Sequence, residues 1–299
     1  MLLQSEAGSC LIYIRYNNFM NKENYFIKQV ANNNFIGDDG AVINDKLKKD
    51  EKYVYSMDGF FENVHFKKEW MSLKQIAIKS MLVNISDAIV MNAVPKYALL
   101  TVAIPKEYTK KDLKSLASGF KKVAKQYGIT IIGGDTISNN KLDISITIIS
   151  ITSNPIYRSG TKKDDLVCYT GILGSTKKDL EKLFKNKQVS KKSKFITPIL
   201  RGEFFYEISP YLNSALDVSD GLAFELERLS KMNNLGFEFF SKIKKDILCS
   251  GEEYELLFTF NIKYKKQINK IAKKHKIKLN IFAKAIKGKY QCKCKGHHF

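Results

Sequence analysis

The chain has 299 residues, 44% of them apolar, with 50 Lys and Arg against 30 Asp and Glu, a formal charge of +20. That length suits one large or two medium domains. No apolar run reaches the ~18–20 residues of a membrane-spanning helix, and residues 11–14 are too few and too mixed for a signal-peptide core, so no membrane partner is expected and the cytoplasm is the expected compartment.

The five cysteines (Cys10, Cys168, Cys249, Cys292 and Cys294) are odd in number and scattered. They do not read as a disulfide framework, which fits a reducing compartment. The charge suggests anionic partners, but only Arg15, Arg158, Arg201 and Arg228 are arginines. The lysines are spread along the chain without interleaved aromatics, so a nucleic-acid surface built on Arg forks and stacking rings is not expected. A basic RNA-binding protein remains the distant alternative.

Residues 1–19 carry no motif, and Met20 is a candidate start. Strand character begins at residues 53–57, followed by a helix over 72–91 and a strand over 97–104. A helix over 109–127 precedes a short strand at 129–132 that is expected to end at Gly133-Gly134. Residues 142–151 alternate apolar and polar at spacing two, the pattern of a half-buried strand. Thr152-Ser153-Asn154-Pro155 carries turn formers and is the candidate boundary. Beyond it come a strand at 166–170, a helix over 175–185, a Lys-rich loop at 187–194 and a strand at 214–218. A helix over 221–232, strands at 236–240 and 254–260, and a basic helix over 263–275 complete the series. The expected fold is α/β (α+β) in two domains: an extension at 1–19, an N-terminal domain at 20–153 and a C-terminal domain at 154–299.

Carboxylates cluster beside glycines at the expected strand ends: Gly37-Asp38-Asp39-Gly40, Asp58-Gly59, Gly133-Gly134-Asp135-Thr136, Asp217-Val218-Ser219-Asp220-Gly221 and Gly251-Glu252-Glu253. Each alone is explained by a turn or helix cap. Five together, in a lysine-dominated chain, suggest convergence on a hard cation such as magnesium, since mutual repulsion would otherwise raise their pKa values. In the 72–91 helix, Ile78, Leu82, Ile85 and Ile89 form one apolar stripe, with Ser80, Asn84 and Asp87 opposite. That second face is either the solvent side of an amphipathic helix or a further contributor, through Asp87, to a metal cluster. No G-x-x-x-x-G-K-[ST] loop, no G-x-G-x-x-G and no H-R-D or D-F-G set is present, so any ATP must be held mainly through cations and carboxylates. Cys292-x-Cys294-x-x-His297-His298 is tighter than structural zinc spacing and has no second half.

These motifs, in order from about Phe35 to Phe260, resemble those of the thiamine-monophosphate kinase family, within the superfamily of aminoimidazole ribonucleotide synthetase. The similar segments are Gly37-Asp38-Asp39, residues 56–66 from Ser56-Met57-Asp58 to His65-Phe66, residues 79–95 with Asn84 and Asp87, Gly133–Thr136, Arg158-Ser159-Gly160, Asp217–Leu222 and Gly251–Leu256. The resemblance implies an N-terminal mixed sheet with helices that pairs in a homodimer and a C-terminal α/β domain completing a groove. It implies ATP-dependent phosphorylation of thiamine monophosphate to thiamine diphosphate by direct in-line transfer, with several magnesium ions. Asp39, Asp58, Asp87, Asp135, Asp217 and Asp220 would hold magnesium, with Ser56 and the Met57 carbonyl; Asp39 and Asp220 are the catalytic assignments. Gly134, Asp135, Arg158 and Ser219 would contact ATP, and His65 and Glu252 the thiamine monophosphate. Met57 replaces a hydroxyl residue, Glu253 an aspartate, and the aromatic residue that the family offers near its C-terminus is absent, Trp70 being the sole tryptophan. Other ATP-using enzymes of the superfamily, among them aminoimidazole ribonucleotide synthetase and a hydrogenase-maturation dehydratase, are the nearer alternative.

Overall fold

The computed structural model describes residues 22–30, 43 and 46–294. The Gly37–Gly40 motif, with Asp39, Cys10 and His297-His298 lie outside the described residues. A short helix, α1 (Lys22–Val30), is followed by strand β1 (Lys52–Phe61), helix α2 (Leu73–Val90), β2 (Val94–Pro105), α3 (Lys110–Tyr127), β3 (Thr130–Asn139) and β4 (Asp143–Thr152). The four strands form a mixed sheet in the order β1-β4-β2-β3, antiparallel except for the β2–β3 pair. Parallel neighbours need a crossover, which α3 supplies.

Local chemistry sets the helix ends. Ser72 and Gln75 form a capping box at the start of α2, and Thr109 with Asp112 does the same for α3. Gly128 closes α3 in the left-handed conformation at φ 65°. Helices α2 and α3 touch so closely that a Cβ on Gly119 would lie 2.4 Å from the Lys74 carbonyl oxygen.

The second sheet is wholly antiparallel, in the order β6-β8-β5-β9-β7. Its strands are β5 (Leu166–Thr170), β6 (Ser214–Asp217), β7 (Leu235–Phe239), β8 (Leu256–Phe260) and β9 (Leu279–Lys287). Helices α4 (Ser175–Phe184), α5 (Gly202–Ile208), α6 (Leu222–Asn233), α7 (Lys245–Leu248) and α8 (Lys265–Lys274) surround it. Every residue of β5 and β8 is buried. One face of these strands joins Ile268 and Ile271 of α8 and the apolar side chains of α2 in a core continuous with the first sheet. The other face packs Val167, Leu216 and Leu257 against Leu222, Leu226 and Leu229 of α6.

One open reading closes and two expectations change. Helix α2 is no amphipathic surface helix: Ser80 and Asn84, on its polar side, are 1% and 0% exposed. Strand β3 does not stop at Gly133-Gly134 but runs to Asn139, because parallel pairing with β2 continues to Pro105. Cys249 and Cys294 are joined in a disulfide, Cα–Cα 5.6 Å apart, leaving Cys168 and Cys292 as thiols among the described residues. Cys294 is therefore no thiolate ligand for zinc.

Candidate active site

The first sheet has two chemically different faces. Along β1, Ser56, Asp58 and Phe60 point inward to α2, whereas Tyr55, Met57 and Phe61 point out, 64%, 69% and 42% exposed. Ser56 donates to Asn84 Oδ1 at 2.5 Å, and the Asn84 amide in turn donates to the Ile146 carbonyl of β4. This clamp fixes α2 on the sheet and sets Asp87, three residues on, beside Asp58.

Across the interface, Ser86 of α2 donates to Asp217 Oδ2 at 2.6 Å, bringing the end of β6 against the helix. Asp58, Asp87, Asp217 and Asp220 thereby line one cavity of about 200 Å³ with His65, Ser219, Glu252 and Tyr254. Burial, then the charges of Asp217 and Asp58, push the Asp87 carboxyl up to about 8, against relief from Arg158. Burial and the charges of Asp217 and Glu252 push Asp58 up to about 6. Asp217 is raised too, chiefly by burial. Burial and mutual repulsion of this kind are relieved when a cation binds.

The donors are carboxylate oxygens, suited to a hard divalent ion. Among the described residues no group of three or more His, Cys, Asp or Glu side chains is placed to hold a metal ion by itself. A magnesium ion keeps water and takes phosphate oxygens alongside one or two carboxylates, so an open, oxygen-only set such as this would need those further oxygens to complete its shell.

The rim is organised by charge pairs. Asp220 is bound by Arg228, which also holds buried Glu225 through both carboxylate oxygens at 2.7 and 2.8 Å. The Asp220 amide donates to Glu225 at 3.1 Å, fixing the turn into α6. Lys79, fully buried on α2, pairs with Glu252 at 2.6 Å, and Tyr254 donates to the same carboxylate at 2.9 Å. Burial alone would raise Glu252, but Lys79, Tyr254 and His65 bring it below the usual range. Glu252 and Tyr254 both have positive φ, 59° and 49°, a left-handed backbone that costs energy in non-glycine residues. The loop is held there by Glu253, which accepts from the Gly174 amide at 2.6 Å at the start of α4 and pairs with Lys194 at 2.7 Å. His65 Nδ1 accepts from the Phe61 amide at 3.0 Å, so a neutral ring carries its proton on Nε2.

Asp135, Gly134 and the Met57 side chain do not join this cluster within one chain. Register places Asp135 level with Thr101, Ser145 and Gly59 on the outer face of the first sheet. It stands three strands from β1, roughly 14 Å, and faces away from Asp58. Gly134 has a packing reason of its own: at φ 148°, a Cβ would lie 1.8 Å from the Leu100 carbonyl oxygen. The side chain of Met57 points away from the cavity, leaving only its backbone as a candidate ligand. Arg158 is exposed but near enough for its charge to act on Asp87 and Asp217.

A second cavity, of about 300 Å³, opens from the first and shares His65, Ser219, Asp220 and Glu252 with it. Its walls are largely apolar: Val64, Phe66, Trp70, Leu180, Phe184 and Phe195. Sequence reasoning missed this wall, together with Lys79 and the Glu225–Arg228 pair. A lysine inside the apolar run of α2, and Glu and Arg spaced by three just after Asp220-Gly221, were the available signals.

A mixed sheet backed by two helices, joined through a carboxylate cavity to an antiparallel sheet, defines the class. Residues 37–152 match the family described as AIR synthase related protein, N-terminal domain. The thiamine-monophosphate kinase of Buchnera aphidicola subsp. Schizaphis graminum is 33% identical over 268 residues, covering 81% of each chain. The chain belongs to the thiamine-monophosphate kinase family and is an enzyme, a kinase of that family. Its fold is that of AaThiL complexed with AMPPCP and TMP, at a TM-score of 0.74 and 23% identity, covering 89% of this chain and 93% of that one. The hydrogenase maturation protein HypE of E. coli shares the fold at a TM-score of 0.72 but 15% identity, covering 89% and 90%. Fold alone thus does not separate the two families; sequence does.

Proposed function

We propose that this protein transfers the γ-phosphoryl group of ATP to the phosphate of thiamine monophosphate, yielding thiamine diphosphate and ADP. The observation that carries the reading is the meeting of Asp58, Asp87, Asp217 and Asp220, from both sheets and the helix between them, beside a largely apolar cavity. The relatives named above support it, and the AaThiL complex pairs an ATP analogue with TMP.

Magnesium would be held by Asp58, Asp87, Asp217 and Asp220, and Asp39 remains a candidate ligand outside the described residues. When bound, it supplies charge neutralisation to the polyphosphate. Arg158 and Ser219 would contact ATP. Glu252, kept ionised by Lys79, and His65 stand where the two cavities join and would orient the acceptor. The acceptor phosphate is already anionic at neutral pH, so the in-line transfer needs alignment more than a general base.

A homodimer belongs to this reading. The outer face of the first sheet presents Tyr55, Met57, Phe61, Leu99 and Ile137, the last two 37% and 51% exposed, a broad uncovered apolar surface. Asp135 lies on that same face, so a ligand role for it requires a second subunit. A cytoplasmic location, where ATP is supplied, goes with the reading.

The deciding experiment supplies ATP, magnesium and thiamine monophosphate and identifies the products. Thiamine diphosphate and ADP in equal amounts are expected. ADP formation with the acceptor unchanged would overturn the reading.

A further inference from the structure

Most of the apolar wall of the second cavity comes from two distant stretches of chain. The turn between β1 and α2 contributes Val64, Phe66, Lys67 and Trp70, and α4 contributes Thr176, Leu180 and Phe184. Trp70 meets Phe184 edge to face at a centroid distance of 5.1 Å and leans on Phe195 at 6.1 Å. Phe195 is core, 2% exposed, but Phe184 and Val64 at the cavity mouth are 62% and 63% exposed. Rings that served only to seal the core would be covered. These leave an apolar corner open at the edge of the carboxylate cavity.

The corner also suits positive charge. The Lys67 ammonium lies 5.4 Å from the Trp70 ring centroid and 5.6 Å from that of Phe184. Aromatic faces attract cations through their quadrupole, most strongly for tryptophan. A lysine on a flexible stem can yield this place to a flat cationic ring. The floor links the corner to the reacting end: Lys79, which pairs with Glu252, stands 3.9 Å over the Phe195 ring.

We propose that Trp70 and Phe184 form the seat for the planar, cationic heteroaromatic part of the phosphate acceptor and so decide which acceptor the kinase takes. This rests on the assignment of thiamine monophosphate as acceptor. The seat fixes the ring, and the acceptor phosphate then extends toward Glu252, His65 and the carboxylates.

Trp70 is the only tryptophan in the chain, so its fluorescence reports on the seat directly. Adding thiamine monophosphate to the full-length protein should change the emission saturably, and ADP with magnesium should leave it nearly unchanged. Trp70→Ala should raise KM for thiamine monophosphate by about 10-fold, with KM for ATP unaltered and kcat little changed; Trp70→Phe should recover most of the loss. Phe184→Ala, at an exposed rim position, tests the same wall without disturbing the core. Turnover of thiamine monophosphate with unchanged emission and unchanged KM in the variants would overturn the seat and leave the kinase reading standing. Saturable emission change without product formation would do the reverse.

Discussion

The two adjoining cavities are built on opposite principles. The carboxylate cavity gathers like charges in a buried place, and its cost is visible in the raised Asp58, Asp87 and Asp217. The aromatic cavity gathers apolar side chains and leaves two of them, Val64 and Phe184, facing water. The first would be relieved by a cation and the second by an apolar occupant. A site built this way binds by relieving what folding leaves unsatisfied.

The sharpest break in this comparison is Asp87→Asn. It should lower kcat by roughly 10²–10³-fold, the scale of removing a key electrostatic group, with circular dichroism unchanged. Full turnover in that variant would remove Asp87 from the site. Next comes the junction between the cavities. Lys79→Met leaves Glu252 charged and half enclosed without its cation, so denaturant unfolding should show a loss of about 3 kcal/mol. A loss below about 1 kcal/mol would mean that water reaches Glu252 freely.

A smaller effect separates the charge cost from the chemistry. Asp87 holds its proton up to about pH 8 when folded and releases it near 3.8 when unfolded. Folding therefore binds a proton between those values, and this group's contribution to stability falls as pH rises through the window. Between about pH 5 and about pH 8 without divalent ions, wild type should lose more Tm than Asp87→Asn, by about 2–4 °C. Equal pH profiles would show that repulsion in the cluster is relieved by other means. The mildest test is on the apolar side: Leu180→Ala, half-buried on α4, should cost under about 1.5 kcal/mol of stability and raise KM for thiamine monophosphate only a few-fold.

How far the sequence spoke differed between the two cavities for a physical reason. Asp58, Asp217 and Asp220 sit in short runs with glycine, where polar and flexible residues mark turns, so their positions were legible. Asp87 was legible as a helical carboxylate, but its neighbours Ser80 and Asn84 read equally as a solvent face. Their burial, and for Asn84 the bonds to Ser56 and Ile146, show them turned inward. The aromatic wall joins residues 64–70 to 176–195, and no local pattern announces a contact over so many residues. Strand β9 was missed because lysines break its apolar alternation at Lys284 and Lys287, and α5 because Phe204, Phe205 and Tyr206 favour strands in isolation. Asp135 shows the converse: its motif placed it with the other aspartates, but alternation along a strand that proved longer than expected turned it to the opposite face.

Helix α2 has a practical consequence for anyone dissecting the molecule. Its side chains are shared between the two sheets: Ile85 and Ile89 lie in the same core as Ala215 and Phe258, and Gly202 of α5 leaves just enough room for Ile89. Severed near Thr152, each fragment would bare the oily surface the other now covers. The pieces are then expected to precipitate when expressed singly and to be recovered only when produced together.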